Sequence, residues 1–561
     1  MKNSIINNRI SSVAVLLPVL VSLFVTTGIN IDPVNVPKML LLVVGAGYLA
    51  GLLISLKIKE FAQNRIVSSA TGLFLFGILI SSIFSKSPIL QTIYGSYGRN
   101  TGAITYIALC ILLLGTFLVS NLNYVERFII GLFFAGIFNV FYGMLQISGH
   151  DPVDWNNSFK AVIGTFGNPN FSSAFIALSL LTYPYVFITL GSLKYKYALF
   201  PTFLLSCFAI LKTNSQQGYL LIAIGTSILT VTFLLKKIQK KVIGFSALGA
   251  VIIGGILGIL GFLQIGPLGK ILYQFSISLR GFYWRAGISM FQSSPLFGNG
   301  LDSYGDLYLR NRSAASILPP GGEKVYSNAA HNVFIDIAAS GGILMLIPYL
   351  VLIGYAILLV SRVLKSNEFN LTFTTLVSVW AAFLVQSTIS INQIGLAVWI
   401  WATTGILIAH SLILLGTRKE ESDLNAKKKV KNQQTSAGSF ITSFILALIF
   451  GALALPEQVA DMKFKSSMAS HDIRKVQQAV NAFPLSSERL SRSSQVFLQN
   501  SLFPEALEIS IKAVKFNPDS LNSWITLLTN PKATPSQRKL AQENLIRLDP
   551  RSSEWRKFVI K

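Results

Sequence analysis

Thirteen apolar runs, each close to the 20 or so residues that an α-helix needs to cross a bilayer, follow one another along most of this chain. They lie at roughly 10–29, 36–56, 66–85, 101–120, 126–147, 170–191, 196–211, 217–235, 242–265, 332–361, 369–388, 393–416 and 438–456. Backbone in hydrocarbon must pair its own N–H and C=O groups, and a helix does so within one segment. Composition agrees: of 561 residues, 52% are hydrophobic and only 12% charged, against about 25% charged in a soluble domain. The expected fold class is therefore all-α, a polytopic membrane helical bundle of about 12–13 transmembrane helices. The first 30 residues have a basic start and an apolar core without a clear small-residue cleavage site. They read as the first transmembrane helix, with a cleaved signal peptide as the alternative.

The formal net charge of +24 would suggest nucleic acid in a soluble protein. Here the excess sits in short loops, where it orients the chain and meets anionic membrane lipids. No aromatic-basic interleaving marks a nucleic-acid surface, so no nucleic-acid partner is expected. With the N-terminus cytoplasmic, the inner loops hold Lys57, Lys59 and Arg65; Arg127; Lys194 and Lys196; Lys236, Lys237, Lys240 and Lys241; Arg362 and Lys365; and a cluster from Arg418 to Lys431. The outer loops hold single cations such as Lys38, Lys86, Arg99, Lys160 and Lys212. This arrangement puts the loop 266–331 and everything after Pro456 outside. Cys110 and Cys207 both lie in apolar segments and suggest neither a disulfide framework nor a metal site.

The domains expected are a membrane domain at 1–416, a lysine-rich cytoplasmic linker at 417–437, a last transmembrane helix at 438–456 and a soluble helical domain at 457–561. In that tail NAFPLSSERL, KFNPDSLNSW and IRLDPRSSEW recur, with Pro484, Pro518 and Pro550 spaced 34 and then 32 residues apart. The spacing matches a tetratricopeptide-like (TPR-like) period of about 34; an unrelated helical hairpin with chance prolines is the alternative.

Four stretches carry candidate chemistry. SYGRNTGAIT at 96–105 offers Arg99, either facing lipid headgroups or contacting an anionic lipid-linked substrate. IGTFGNPNFSSAF at 163–175 breaks before a helix that Asn168 and Asn170 can cap. KTNSQQGYL at 212–220 is a tight turn whose one charge is Lys212. The fourth, Ser278 to Gly342, holds Arg280, Trp284, Arg285, His331 and Asn332 between long apolar segments. A guanidinium at a membrane boundary suits a phosphate, which it can bind through two parallel hydrogen bonds. Arg280 and Arg285 would point about 140° apart on a helix, whereas Trp284 shares the Arg280 face. Gly298 and Gly300 form a G-x-G that is weak evidence for a phosphate cradle. A neutral His331 could take a proton from an attacking hydroxyl, with Asp336 orienting it or remaining a buried partner; a structural interfacial histidine is the alternative.

Together these residues resemble the superfamily of O-antigen ligases and polymerases. R-x-x-x-W-x-A followed by P-L-x-G-x-G is met by Arg280, Trp284, Ala286, Pro295, Leu296, Gly298 and Gly300. A-H-N opening a helix is met by Ala330, His331 and Asn332, and continues to Gly341 and Gly342. The resemblance covers about 96–405 and implies transfer of a glycan from an undecaprenyl-diphosphate carrier to an acceptor at the outer face of the plasma membrane, with no metal and no cofactor. It implies that Arg280 binds the diphosphate and that His331 activates the acceptor hydroxyl or holds the substrate. Arg285, Arg99, Lys212, Trp284 and Asn332 are expected to line the substrate. The sequence departs from the family's T-x-S-R-G at Gln216, which supplies no charge.

The acceptor would be lipid A core for a ligase, a protein for an O-oligosaccharyltransferase, or a carrier-linked glycan for a repeat-unit polymerase. The tail would bind a protein or other large partner. A lipid-carrier transporter is the reading from another class, but charges at mid-membrane depth and an internal repeat of helices are both absent from the sequence.

Overall fold

The computed structural model describes residues 2–55, 64–153, 155, 157, 160–262, 275–318, 322–366, 368–418, 437–470 and 472–558. Most of the 417–437 linker and residues 263–274 of the long loop lie outside them. The described residues contain helices and no strand. Each of the thirteen expected segments carries a helix. Eleven helices among the described residues are long and apolar enough to span a bilayer, so this is a multi-pass membrane protein. Two segments depart from expectation. Ala103–Phe117 has only 15 residues, and Leu193–Lys212 is not among the eleven, its first turns carrying Lys194 and Lys196 and its interior Pro201.

Ile394–Leu414 runs through the middle of the bundle, with Trp399 and Ile408 fully buried. Around it pack Lys2–Leu23, Ala103–Phe117, Val333–Ser366 and Leu371–Ile389. Lys241–Phe262 instead leaves Val242, Phe245, Ile252 and Ile253 exposed, as hydrocarbon-facing residues should be.

Lys38, expected as a loop cation, lies inside the helix Asn35–Ser55 and is fully buried. Its ammonium donates to the carbonyls of Val21, Ser22 and Phe24 at 3.0, 2.7 and 2.9 Å. Those oxygens end the first helix, where the dipole favours a cation.

The expected domain boundary after residue 456 falls inside one helix. Ala437–Ala469 is unbroken for 33 residues, with Pro456 inside. At 1.5 Å per residue it is about 50 Å long, well beyond a hydrocarbon core of about 30 Å. Its first half exposes Phe440, Phe444, Leu448 and Leu453, whereas Glu457 and Asp461 are buried against other segments. Asp461 accepts hydrogen bonds from the Asn30 side chain, the Ile31 and Asp32 amides and the Tyr97 hydroxyl. Glu457 pairs with Arg489 at 3.1 Å.

The tail continues as Ile473–Val480, Ser487–Gln499, Phe503–Phe516, Leu521–Thr529 and Pro535–Leu548. Pro484, Pro518 and Pro550 all fall in turns that follow one helix and precede the next. The tail is docked at its far end too: Arg312, in the long loop, meets Asp549 with two bonds of 2.8 and 2.9 Å, and Asn517 donates to Asp306. The tail, the 28–32 and 95–102 loops and the 294–332 segment therefore share one end of the bundle.

Asp461→Ala removes the acceptor of four donors at once. We expect it to cost about 3 kcal/mol and to loosen the tail, read as a lower unfolding temperature of the detergent-solubilised protein and faster proteolysis between 470 and 520.

Candidate active site

The stretch read from sequence as a loop begins with a helix, Phe275–Ser293. Arg280 and Arg285 project from it in different directions, as five-residue spacing requires. Arg280 is half-buried, while Arg285 is exposed over the Phe282 ring at 5.8 Å. Tyr283, one turn after Arg280, places its ring 5.4 Å from that of His331 at an angle of 30°. Among the described residues no carboxylate lies within 4.0 Å of Arg280. Burial lowers the pKa of the Arg280 guanidinium, with the Tyr283 hydroxyl partly opposing the shift. It remains a cation without a counter-ion, a state that an anion would relieve.

His331 has φ +53°, in the left-handed region where a side chain other than glycine is strained by about 1 kcal/mol or more. Two neighbours hold it there. The Asn328 carbonyl accepts from Arg99 at 2.6 Å, and the Ala330 amide donates to Asp336 at 2.8 Å. The His331 pKa falls from 6.5 to about 4, first through burial and then through the charges of Arg280 and Arg99. The imidazole is thus neutral at physiological pH. Because its folded pKa is depressed, its contribution to stability is present above about 6.5 and is lost as pH falls from there toward 4.

Arg99 is buried and pairs with Asp302 at 3.3 Å and with Asp336 at 3.8 Å. Asp302 also accepts from the amides of Ser96 and Thr101 and from the Thr101 hydroxyl. Arg99 therefore faces carboxylates of its own protein rather than open lipid headgroups. Asn332 accepts from the amides of Phe334 and Ile335 and so caps the helix Val333–Ser366. Trp284 is half-buried, and its indole N–H is enclosed without an acceptor among the described residues. Lys212 is exposed over the Phe208 ring at 5.3 Å. The turn that holds Lys212 packs on the GTFGNPN segment: Ser215 donates to Asn170 at 2.7 Å and the Gly218 amide to Ser173 at 3.1 Å.

The G-x-G is a packing device, not a phosphate cradle. Gly298 (φ +70°) would drive a Cβ to within 2.1 Å of the Ser340 carbonyl oxygen. Gly342 (φ +61°) kinks the Val333–Ser366 helix against the carbonyls of Pro295 and Leu296. Amides of Asn299 and Gly300 donate to the Ala339 and Ser340 carbonyls, and Ile343 donates to Pro295. The P-L-x-G-x-G and Gly341-Gly342 motifs are the two halves of one close backbone contact, which carries Asp302 to Arg99.

Residues 201–350 match the family described as O-Antigen ligase, a segment that contains Arg280, Arg285, His331 and both halves of this contact. This match, over 150 of the 561 residues, supports kinship with the O-antigen ligase superfamily. No curated protein and no solved structure matches it. The matched family indicates an O-antigen ligase/polymerase-type membrane glycosyltransferase, a class that acts on a lipid-linked glycan and a glycan acceptor.

Sequence reading missed Asp302, Tyr283 and the carbonyl of Asn328. Tyr283 could have been found, since i,i+3 from Arg280 shares its face as i,i+4 does. Asp302→Ala removes the acceptor of three hydrogen bonds and leaves Arg99 buried with Asp336 as its one carboxylate partner among the described residues. We expect a loss of about 3–5 kcal/mol, measured by thermal unfolding, together with weaker glycan transfer.

Proposed function

We propose that the protein transfers a glycan from an undecaprenyl-diphosphate carrier to an acceptor hydroxyl at the outer face of the bacterial plasma membrane, in the manner of an O-antigen ligase. The observation that carries this reading is Arg280: a half-buried guanidinium without a carboxylate partner among the described residues, close enough to His331 to depress its pKa. The N-terminus is cytoplasmic, and the tail stands outside as a TPR-like solenoid.

Arg280 binds the carrier diphosphate through its guanidinium fork. The enclosed Trp284 N–H is a second donor on the same helix face. His331 accepts the proton of the acceptor hydroxyl as that oxygen attacks the anomeric carbon. The bond from that carbon to the diphosphate oxygen breaks, and the carrier diphosphate leaves with the electron pair. Arg280 stabilises the charge that grows there, at a water-poor site where a fixed cation acts strongly. Attack opposite the leaving group inverts the anomeric centre. Arg99 acts as a positioning residue, since its partners are Asn328, Asp302 and Asp336 rather than substrate.

Before substrate binds, burial, with the charges of Arg280 and Arg99 adding to it, holds His331 neutral but weakly basic. The diphosphate offsets those charges and raises the imidazole's affinity for a proton when a base is needed. A repeat-unit polymerase or an O-oligosaccharyltransferase would use the same residues with a different acceptor.

Substituting Arg280→Ala should lower kcat about 10²–10³-fold, and His331→Ala about 10²–10⁴-fold, in transfer from a synthetic lipid-diphosphate glycan to purified acceptor. Normal transfer by both variants would remove this site. The acid limb of kcat/KM should lie near pH 4, leaving most activity at pH 5.5, where an imidazole of ordinary pKa would be about nine-tenths protonated. The acid limb of kcat should lie higher, because it reports the diphosphate-bound state.

A further inference from the structure

Two cavities meet at Tyr97, one beside Arg99 and one beside Asp302, and neither is lined by Arg280 or His331. Their charges are opposite. The smaller, about 850 Å³, lies between the tail and the 302–328 segment and is lined by seven carboxylates and a single lysine, Lys324. The larger, about 940 Å³, is walled by Arg99, Lys465 and Arg492 against one carboxylate, Asp32. Asp32 already accepts from the amides of Val34 and Asn35, and Arg99 is matched by Asp302 and Asp336. Lys465 is half-buried and Arg492 exposed at the cavity's edge, and among the described residues no carboxylate lies within 4.0 Å of either. Glu488, four residues before Arg492 on its helix, meets it only in weaker electrostatic contact.

The remaining wall of the larger cavity is aromatic and amide. Trp155 and Phe171 are half-buried on it. The Trp155 indole N–H donates to the Tyr142 hydroxyl at 2.8 Å, which fixes the ring. Asn168 and Asn392 line it as well. Fixed aromatic faces beside amides suit a ligand with apolar C–H faces and a hydroxyl rim, and 940 Å³ lies near the top of the usual range of about 300–1,000 Å³ for small-molecule sites. Lys465 and Arg492 come from the tail side, on the helices Ala437–Ala469 and Ser487–Gln499, and Trp155 and Phe171 from the membrane domain, so the wall is shared between the two.

We infer that this cavity binds an acidic oligosaccharide: the part of a glycan substrate remote from the reacting bond, its sugar faces on Trp155 and Phe171 and its carboxylates or phosphates toward Lys465 and Arg492. The inference rests on the glycan-transfer reading for the identity of the substrate. Binding itself is a separate property of the cavity. The neighbouring cavity offers such a chain a single lining cation, Lys324, and so competes poorly for it. Arg99 borders this cavity and also contributes to the field at His331, so the bound chain lies near the reacting residues without occupying their place.

The test uses the full chain in detergent, carrying Arg280→Ala so that nothing is transferred. Calorimetric titration at low ionic strength compares an oligogalacturonate with a neutral malto-oligosaccharide of equal length. The acidic probe should bind at least about fivefold more tightly. Lys465→Glu combined with Arg492→Glu should weaken the acidic probe about tenfold and leave the neutral one unchanged, while Trp155→Ala should weaken both. Equal affinity of the two probes, absence of binding, or an unaltered acidic affinity in the charge-reversed protein would overturn the inference. In transfer assays on protein with Arg280 intact, the charge reversal should raise KM for donor or for acceptor with kcat little changed, and the one affected identifies the source of the glycan. A KM change for neither would also overturn it. Failure of the transfer reading would show instead as absence of transfer by the unsubstituted protein, while the titrations would still decide the cavity.

Discussion

One buried guanidinium ties the outer end of this bundle together. Arg99 lies between Asp302 and Asp336 and also donates to the carbonyl of Asn328. Asp302 in turn accepts from both ends of the 96–101 turn that presents Arg99, and Asp336 accepts from the Ala330 amide. Segments from three distant parts of the chain thus share one network. Its low-dielectric surroundings strengthen every bond in it and make any orphaned member costly. The consequence for chemistry is indirect but specific. The turn 328–331 is held from both sides, so His331 keeps a left-handed backbone that it would otherwise leave. The strain is local, and the pairing that sustains it is remote.

Two sets of cations stand out at the outer end, and they differ in their partners. Lys38 lies on three helix-terminal carbonyls, Arg99 between two aspartates, Arg312 on Asp549 and Arg489 on Glu457. Each of these is buried and matched. Arg280, Lys465 and Arg492 have no close carboxylate among the described residues. A buried cation that is matched contributes to a unique fold; Arg280 and Lys465 are half-buried and Arg492 is exposed, so these three can still meet an anion from solution. Arg280 lies at the proposed chemistry, and the other two border the cavity of about 940 Å³.

Membrane helices were legible in the sequence because length and apolarity alone set them, and each of the thirteen apolar runs carries a helix. The separation of Arg280 from Arg285 was legible for the same reason, since helical geometry fixes it. Pairing was not. Arg312 and Asp549 are 237 residues apart and Arg489 and Glu457 are 32 apart, and no local pattern distinguishes their charges from solvated ones. Arg99 consequently read as a lipid or substrate contact and Lys38 as a loop cation. The glycine motifs show the converse. Their spacing was visible, but their purpose emerges only where Gly298 meets Ser340 and Gly342 meets Leu296, a contact between two backbones that sequence spacing cannot express.

The tail is part of this end of the molecule rather than an appendage. Its connection is a single helix about 50 Å long, not a flexible linker, so the tail inherits the orientation of a transmembrane element. Asp461 fastens that helix to the 30–32 loop and to Tyr97, two residues from Arg99, while Arg312 fastens the far end of the tail to the segment that leads to His331. With both ends fixed, the tail cannot swing without breaking a buried charge pair, each worth about 3–5 kcal/mol when one partner is removed. The spaces between tail and membrane domain are thereby fixed in shape, and their opposite charges are fixed in place. A glycan long enough to pass the reacting residues would meet a preformed choice between an acidic wall and a basic one, and only the basic one accommodates an anionic chain.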